Sequence, residues 1–203
     1  MGDLRRPTDL RQVELVDAAL RIIETQGITA LTTRRLAAEV GLTSGAIFRH
    51  FPSLDALLEA VIARVEAVLE STYPPPEGSA VERLEGLLLA RSQAVGRHLG
   101  ILRLVLSEQF LLALPQSGSE RLTACVEKTQ SYLHACLREG QVAGALRGDV
   151  PAEVLVPIVM GTVQVLACLP QAPPEVHRVV AGLLALLRPP TPGGPVKLPY
   201  AGG

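Results

Sequence analysis

The sequence predicts an all-α protein with a small three-helix head at its N-terminus and a larger helical body behind it. Apolar residues recur near the helical period of about 3.6 positions, and signals for tight β-hairpins are few. With 203 residues, of which 48% are hydrophobic, the chain can form more than one compact domain. The predicted divisions are a head over residues 1–53, a body over 54–188 and a Pro/Gly-rich tail over 189–203.

A helix-turn-helix is predicted between residues 32 and 51 of the head. Thr32 or Thr33 can cap its first helix, and Gly41 can take the left-handed conformation that ends it. Thr43 can cap the second helix, whose apolar side chains are spaced to turn toward the first helix. The outward face that remains is suited to a DNA major groove. The residues predicted to face DNA are Thr32, Thr33, Arg34, Arg35, Thr43, Ser44, Gly45, Ala46, Phe48, Arg49 and His50.

Residues 48–53 read Phe-Arg-His-Phe-Pro-Ser, an aromatic-x-His-Phe signature that precedes a long predicted helix. Upstream, the predicted helix Val13–Gln26 carries an Asp-Ala-Ala core and closes at Gly27. Over about fifty consecutive residues, as far as Leu57 and Leu58, the chain resembles the DNA-binding domain of TetR-family transcriptional regulators. The resemblance implies a homodimeric repressor that binds an approximately palindromic operator and is released by a small molecule.

Two positions depart from the family's pattern, in which tyrosine is common at the position of Phe48 and lysine at that of Leu54. Both usual residues can bond DNA phosphates, so two such contacts are missing here. Residues 1–53 carry seven arginines and no lysine against three aspartates and three glutamates, a net charge of only +1. Because phosphate contacts supply much of the affinity for DNA, modest affinity is predicted unless the arginines concentrate on one side of the head.

The sequence leaves the roles of individual head residues open. Arg49 can bind guanine through two hydrogen bonds or hold a phosphate, and His50 can donate to a phosphate or be bonded within the head. Gly45 and Ala46 let the backbone of the second helix approach base edges, and Ala46 can touch a thymine methyl group. The alternative interpretation is that the helix-turn-helix is only a packing unit or docks a protein.

A long connecting helix is predicted from Ser53 to about Ser71, ending before three consecutive prolines. In the family this helix transmits ligand binding to the DNA-reading head, and the resemblance implies the same role here. Further helices are predicted over Ala80–Arg97, Leu99–Leu114 and Glu120–Glu139, with a turn over residues 115–119.

Two apolar helices, Pro151–Leu169 and Glu175–Leu187, are predicted at the end of the body. The first is apolar nearly all round, and the second has one apolar stripe. Paired with their copies they would form a two-fold four-helix bundle, which the resemblance also implies. The alternative is that both helices are used within the core of one chain. The residues predicted at the dimer interface are Ile158, Val165, Val176, Val179, Val180, Leu183, Leu184 and Leu187.

The resemblance further implies that the body encloses a ligand cavity. Aromatic residues are only 3% of the chain and tryptophan is absent, so a mainly aliphatic cavity for an apolar ligand is favoured over an aromatic cage. Polar residues within largely apolar helices are candidates for orienting the ligand, although a surface position or an internal hydrogen bond is the simpler explanation for each. These candidates are Arg103, Gln109, Gln130, Tyr132, His134 and Gln164.

No cofactor, metal site or catalytic activity is predicted. The histidines and cysteines lack recurrent metal-ligand spacing, and motifs for phosphate loops, dinucleotide loops and nucleophile elbows are absent. Three cysteines without close pairing, no signal peptide and no apolar run of bilayer length predict a cytoplasmic chain. The predicted partners are double-stranded operator DNA, a second copy of the chain and an unknown small molecule. The alternatives are a helical adaptor that has lost DNA binding and, further from the motifs present, a helical enzyme.

Overall fold

The structure is a computed structural model that describes residues 8–96, 114, 116–168 and 173–190. Within these ranges all regular structure is helical, which confirms the predicted all-α class. A short 3-10 turn, Ile28–Ala30, follows the first helix. The predicted helix over 99–114, apart from its last residue, and the tail beyond Pro190 lie outside the described residues. The helices are α1 Thr8–Gln26, α2 Thr33–Glu39, α3 Ser44–Ile47, α4 Leu54–Glu70, α5 Ala80–Gly96, α6 Gln116–Val142, α7 Ala152–Cys168 and α8 Pro173–Leu187.

The chain packs as two compact units. The first, here called the head unit, comprises Met1–Val68 and His98–Ala124, and the second, the body unit, comprises Leu69–Arg97 and Cys125–Gly203. The head unit contains residues 8–53 of the predicted head and also residues 54–68 and 116–124, which the sequence predicts in the body.

The head unit is built on apolar side chains from α1, α2, α3 and α4. Burial of these side chains is the main favourable term in its packing. An ion pair between Arg64 of α4 and Asp17 of α1, with 3.7 Å between Nε and Oδ1, links the two long helices at the surface. The largest fully buried side chains of the head unit are Leu15, Ile22, Ile23, Leu36, Ile47, Leu57 and Ile62.

Helix α1 begins at Thr8, five residues before the predicted start at Val13. The extra turn is supported by polar contacts that an apolar pattern does not reveal. Arg11 pairs with Glu14 at 2.8 Å, one helical turn away.

Helix α6 begins at Gln116, so the prediction of a turn over residues 115–119 is wrong for the residues from Gln116 onward. The serines and glycine there favour a turn locally, but contacts within the head unit stabilise a helix instead. Ser117 donates to Glu59 of α4 at 2.9 Å, and Arg121 pairs with Glu59 at 2.7 Å. Gly118 is buried beside Ile62, where a side chain would not fit without displacing that residue.

The body unit has its own core, formed by α5, α7, α8 and the body part of α6. Gln141 holds the loop after α6, since its side-chain amide donates to the carbonyls of Arg147 at 2.9 Å and Val150 at 2.8 Å. The N–H of Arg147 in turn donates to the carbonyl of Leu187 at the end of α8, at 2.7 Å. Among the described helices none is both long enough and apolar enough to cross a membrane.

Candidate DNA-binding surface

Two threonine caps and one glycine fix the helix-turn-helix locally. The Thr32 hydroxyl accepts from the N–H of Arg35 at 3.2 Å, and the Thr43 hydroxyl accepts from the N–H of Ala46 at 3.3 Å. Each cap satisfies a helix N–H that would otherwise lack a partner. Between the two helices, Gly41 has a φ of 66°, a left-handed conformation that glycine adopts without strain. The turn between α2 and α3 is therefore encoded by neighbouring residues.

The inner face of the helix-turn-helix packs as predicted. Leu36 of α2, Ile47 of α3 and Phe51 are all buried. Helix α3 is short, and the chain continues in turns after it, with the N–H groups of His50 and Phe51 donating to the Ile47 carbonyl at 2.9 and 3.0 Å. These bonds orient the residues that follow α3 while their backbone stays satisfied.

None of the residues predicted to face DNA is buried. Phe48 is 49% exposed. The exposed residues are Thr32, Arg34, Arg35, Thr43, Gly45, Phe48 and Arg49. The half-buried residues are Thr33, Ser44, Ala46 and His50.

The arginines of the helix-turn-helix differ from those of α1 and α4 in their pairing. Arg34, Arg35 and Arg49 form no ion pair with any described carboxylate and are exposed. The three arginines of α1 and α4 are instead neutralised by acidic neighbours. Within residues 8–68, unpaired positive charge available to phosphates therefore lies on the helix-turn-helix, which the net charge of the head does not reveal. The paired arginines are Arg11, Arg21 and Arg64, with Glu14, Glu39 and Asp17 as their respective partners.

His50 is held through its backbone. Its carbonyl accepts from the side-chain amide of Gln12 at 3.0 Å, which ties the chain after α3 to α1. The Nδ1 atom of its half-buried ring is buried and has no hydrogen-bond partner among the described atoms. Two roles were predicted for this ring, donation to a phosphate and a hydrogen bond within the head. At Nδ1 the structure contains no hydrogen bond of the second kind among the described atoms.

The four predicted ligand-orienting residues that the structure describes do not converge on one site. Gln130 and His134 line a surface groove of about 340 Å³, where His134 Nε2 lies 3.3 Å from an oxygen of Glu153 on α7. Tyr132 faces elsewhere and packs edge-on against Tyr73, with ring centroids 5.1 Å apart. Gln164 is half-buried on α7, and Arg103 and Gln109 lie outside the described residues.

Cys136 is a buried thiol. It is buried in the core of the body unit, and burial raises its pKa above the usual value of a thiol. Because the thiolate is the reactive form, the default prediction of a buried thiol is supported for this residue over redox sensing.

Sequence reasoning missed Arg91, which is only 6% exposed. It follows Leu84, Leu87 and Leu88 at helical spacing on α5, and all three leucines are fully buried. A charged residue that continues an apolar stripe was the available signal, because arginine is almost never fully buried unless it is paired. Burial lowers the pKa of this guanidinium, since desolvation disfavours its charged form.

Five of the residues predicted at the dimer interface are buried in the body core of one chain: Val176, Val180, Leu183, Leu184 and Leu187. Their side chains are already covered by α5 and α7, which corrects the view that the whole stripe of α8 is open to a partner. Val179 is partly buried against the same core. Ile158 and Val165 of α7 are instead 53% and 61% exposed.

The sequence is similar to a known family of regulatory proteins. Residues 15–61 match the model of the bacterial regulatory proteins of the tetR family. The nucleoid occlusion factor SlmA of Vibrio campbellii is 28% identical over 161 residues, which cover 76% of this chain and 80% of the relative. SlmA of Shewanella pealeana is 30% identical over 132 residues, or 64% of this chain and 66% of the relative.

Solved structures share the fold at lower identity. The ketosteroid transcriptional regulator KstR2 of Mycobacterium tuberculosis superposes with a TM-score of 0.77 and 21% identity, over 93% of this chain and 98% of that protein. AibR, solved with isovaleryl coenzyme A and operator DNA, has a TM-score of 0.73 and 18% identity, over 89% of this chain and all of AibR, 100%.

An exposed helix-turn-helix followed by a helical body defines a DNA-binding transcriptional regulator, not an enzyme. The matching segment, residues 15–61, contains the whole helix-turn-helix described above. The chain belongs to the TetR family of bacterial regulatory proteins.

Proposed function

We propose that this protein is a transcriptional repressor that binds an approximately palindromic operator as a homodimer and is released by a small, mainly aliphatic ligand. The observation that carries the proposal is the exposed α3 beside the unpaired Arg34, Arg35 and Arg49. Small residues at the start of α3, Gly45 and Ala46, allow close approach to base edges in a major groove. The arginines bind phosphates around that groove, with Arg49 also within the class of side chains that read guanine.

The dimer surface follows from the apolar side chains that one chain leaves exposed. Val154, Ile158 and Val165 are separated by four and seven residues, so they lie on one face of α7, and all are at least half exposed. On α8, the half-exposed Leu186 stands seven residues from the partly buried Val179. A two-fold axis that joins these faces to their copies buries them in a four-helix bundle and sets the two heads about 34 Å apart on DNA.

The ligand proposal is supported by the aliphatic composition of the body and by the AibR structure, which contains isovaleryl coenzyme A together with operator DNA. A ligand releases DNA only if it binds more tightly to the conformation whose heads do not fit the operator. Gln130, Tyr132, His134 and Gln164 remain candidates for ligand contact, alongside Arg103 and Gln109.

Selection of bound sequences from a random pool of duplex DNA tests the proposal. We expect enrichment of an approximately palindromic motif with the full-length protein. Gly45→Glu is a matched control, because Gly45 is exposed and no atom lies within 4 Å of the position a Cβ would take. This variant should fold normally and enrich nothing, since a carboxylate on α3 repels DNA. Folded protein that enriches no sequence would contradict the proposal.

A second candidate function is nucleoid occlusion, which is favoured by the similarity to SlmA proteins over about three quarters of the chain, 76%. A factor of this type and an operon repressor share the same DNA-reading head. They differ in where they bind on the chromosome and in what their loss changes.

Chromatin immunoprecipitation combined with transcript profiling separates these functions. A repressor should occupy one or a few promoters, whose transcripts rise when the gene is deleted. A nucleoid occlusion factor should occupy many dispersed sites with little change in adjacent transcripts, and its deletion should allow division septa over the chromosome.

A further inference from the structure

Three of the residues predicted to face DNA follow α3 and lie outside any helix: Phe48, Arg49 and His50. Helix α3 has only 4 residues, and the chain beyond it is held by turn bonds, such as that from the Arg49 N–H to the Ala46 carbonyl at 3.3 Å. A side chain that contacts DNA must be placed accurately, because hydrogen bonds form over a narrow range of distances and angles. Residues 48–50, here called the reading segment, therefore depend on support from outside α3.

Helix α1 gives this support through Gln12. The side-chain amide of Gln12 donates to the carbonyl of His50 at 3.0 Å, although the two residues are 38 positions apart in the sequence. Among the residues that the structure describes, this is the one hydrogen bond that joins α1 to the reading segment. Since His50 follows Arg49 directly, a bond to its carbonyl limits how far the backbone at Arg49 can turn.

The position of Gln12 on α1 explains why its side chain turns toward the rest of the head unit. Gln12 precedes Val16 by one helical turn, so the two side chains share one face of the helix, and Val16 is buried. In the sequence, Gln12 stands just before Val13, where the apolar pattern predicts that the helix starts. The pattern therefore leaves Gln12 outside the predicted helix, and its contact with His50 is not predicted.

Gln12 lines a surface groove of about 440 Å³ together with Phe51, Val13 and Ala60. Water in this groove can bond to the His50 carbonyl when the amide of Gln12 is removed, so no buried acceptor is left without a partner. We therefore expect this amide to contribute more to the position of the reading segment than to the stability of the head unit.

We propose that Gln12 is a positioning residue for DNA binding, which holds Arg49 in its DNA-contacting direction through the hydrogen bond to the His50 carbonyl. This role rests on the proposed function, in which the head binds an operator. A segment that is already fixed in its bound conformation loses less conformational freedom on binding, and the affinity rises accordingly. Gln12 acts through Arg49, so its contribution disappears when the guanidinium is absent.

The experiment measures operator affinity in a double-mutant cycle of Gln12→Met and Arg49→Ala. Methionine keeps the length and neutrality of glutamine and lacks its donor. We expect Gln12→Met to weaken operator binding by about threefold to tenfold per head when Arg49 is present, which is the worth of one neutral hydrogen bond. In the Arg49→Ala background the same change should cost less than about twofold. No loss in the first case, or an equal loss in both, would overturn the proposal.

Gln26→Met is the matched control. Gln26 is the last residue of α1, is exposed and forms no side-chain hydrogen bond within the described residues. The same chemical change should therefore leave operator affinity unaltered in both backgrounds. A loss as large as that of Gln12→Met would show that the hydrogen bond to His50 is not the cause.

Gln12→Arg tests the donor itself and covers the case in which Gln12→Met folds poorly. The Nε–H of an arginine lies as many bonds from the backbone as the amide nitrogen of glutamine, so it can donate to the same carbonyl. Its added charge acts equally with and without Arg49 and cancels in the comparison. We expect Arg49→Ala to cost as much affinity in the Gln12→Arg background as in wild type. A cost reduced to that in the Gln12→Met background would overturn the proposal.

Hydrogen exchange on DNA-free protein separates this inference from the proposed function. The amides of His50 and Phe51 should exchange faster in Gln12→Met than in Gln26→Met, and equal exchange would overturn the positioning role. If wild type selects no operator while exchange is faster in Gln12→Met, the proposed repressor function fails and the support of the reading segment by Gln12 stands. If an operator is selected and Arg49→Ala costs the same in every background, only the inference about Gln12 fails.

Discussion

Leu146 covers Gly140 so closely that a side chain at Gly140 would collide with it. A Cβ on Gly140 would lie 2.6 Å from Cδ1 and 2.7 Å from Cγ of Leu146, while the N–H of Leu146 donates to the Gly140 carbonyl at 3.0 Å. The chain thus folds back over the end of α6 against bare backbone.

Gly140→Ala should destabilise the protein by about 1–3 kcal/mol, because the added methyl group displaces the buried Leu146. The cost of this overpacking exceeds the gain in helix propensity from glycine to alanine. Urea denaturation measures the change. Gly148→Ala is the control, since no atom lies within 4 Å of a Cβ there and its effect should be small. The steric explanation fails if both variants lose the same stability.

Arg49→Ala should weaken operator binding by about 1–3 kcal/mol, because an exposed, unpaired guanidinium at the end of α3 is removed. Binding measured over a range of salt concentrations distinguishes its roles. Loss of a phosphate contact lowers the salt slope by about one unit on every sequence, and loss of a base contact relaxes one operator position. Arg21→Ala, which removes an arginine paired with Glu39, should leave affinity nearly unchanged. Equal operator affinity of wild type and Arg49→Ala would show that Arg49 does not contact DNA.

Leu54→Lys should strengthen operator binding and steepen its salt dependence by about one phosphate contact per head. Leu54 begins α4 and is only half-buried, so a lysine can extend its ammonium toward solvent there. Fluorescence anisotropy with a labelled operator measures both quantities. An unchanged salt slope would indicate that this position does not face DNA.

Val165→Lys combined with Ile158→Lys should convert dimers to monomers while each chain stays folded, because both side chains are exposed in one chain. Sedimentation gives the oligomeric state, and operator affinity should fall by about tenfold or more once the heads are unlinked. Val142→Lys, at a position that is 84% exposed on α6, is the control and should remain dimeric. Val180→Glu is unsuitable for this purpose, because Val180 is only 1% exposed and an unpaired carboxylate buried there would unfold the chain. Persistent dimers in the double variant would place the interface elsewhere.

The phenol of Tyr132 should make stability fall at high pH. Burial raises its pKa from 10.0 to about 12, so the folded chain holds this proton more tightly than the unfolded chain does. The contribution of this phenol to the free energy of unfolding is complete below pH 10.0 and is lost as the pH rises toward about 12. The free energy of unfolding should therefore fall less between about pH 8 and about pH 11 in Tyr132→Phe than in wild type, as denaturation curves at the two pH values would show. An identical loss in both proteins would contradict this assignment.

Local signals predicted more of the molecule than tertiary ones. The caps at Thr32 and Thr43 and the turn at Gly41 follow from residues within one helical turn, and the structure contains all three. The helical state of residues 117–119 depends on α4, which lies far away in the sequence. The burial of Arg91 likewise depends on acceptors from α4 and α6 that no local pattern identifies.

Apolar stripes gave a mixed result for a related reason. A stripe such as that of α8 indicates that a face will be covered, but a sequence without its structure does not say whether the same chain or a second copy covers it. Leu183 is covered by its own chain, whereas Val165 is not. Exposure in one chain therefore had to be known before the proposed interface could be confined to a few residues.

The pairing of arginines in the head also bears on how this protein would search a chromosome. With the charges of Arg11, Arg21 and Arg64 taken up by acidic neighbours, residues 8–68 carry little unpaired positive charge outside the helix-turn-helix. Weak attraction to arbitrary DNA shortens each unproductive encounter and leaves a larger fraction of the protein unbound and able to sample its true site. Discrimination between operator and bulk genome would then come mainly from groove contacts, at the expense of sliding along the duplex.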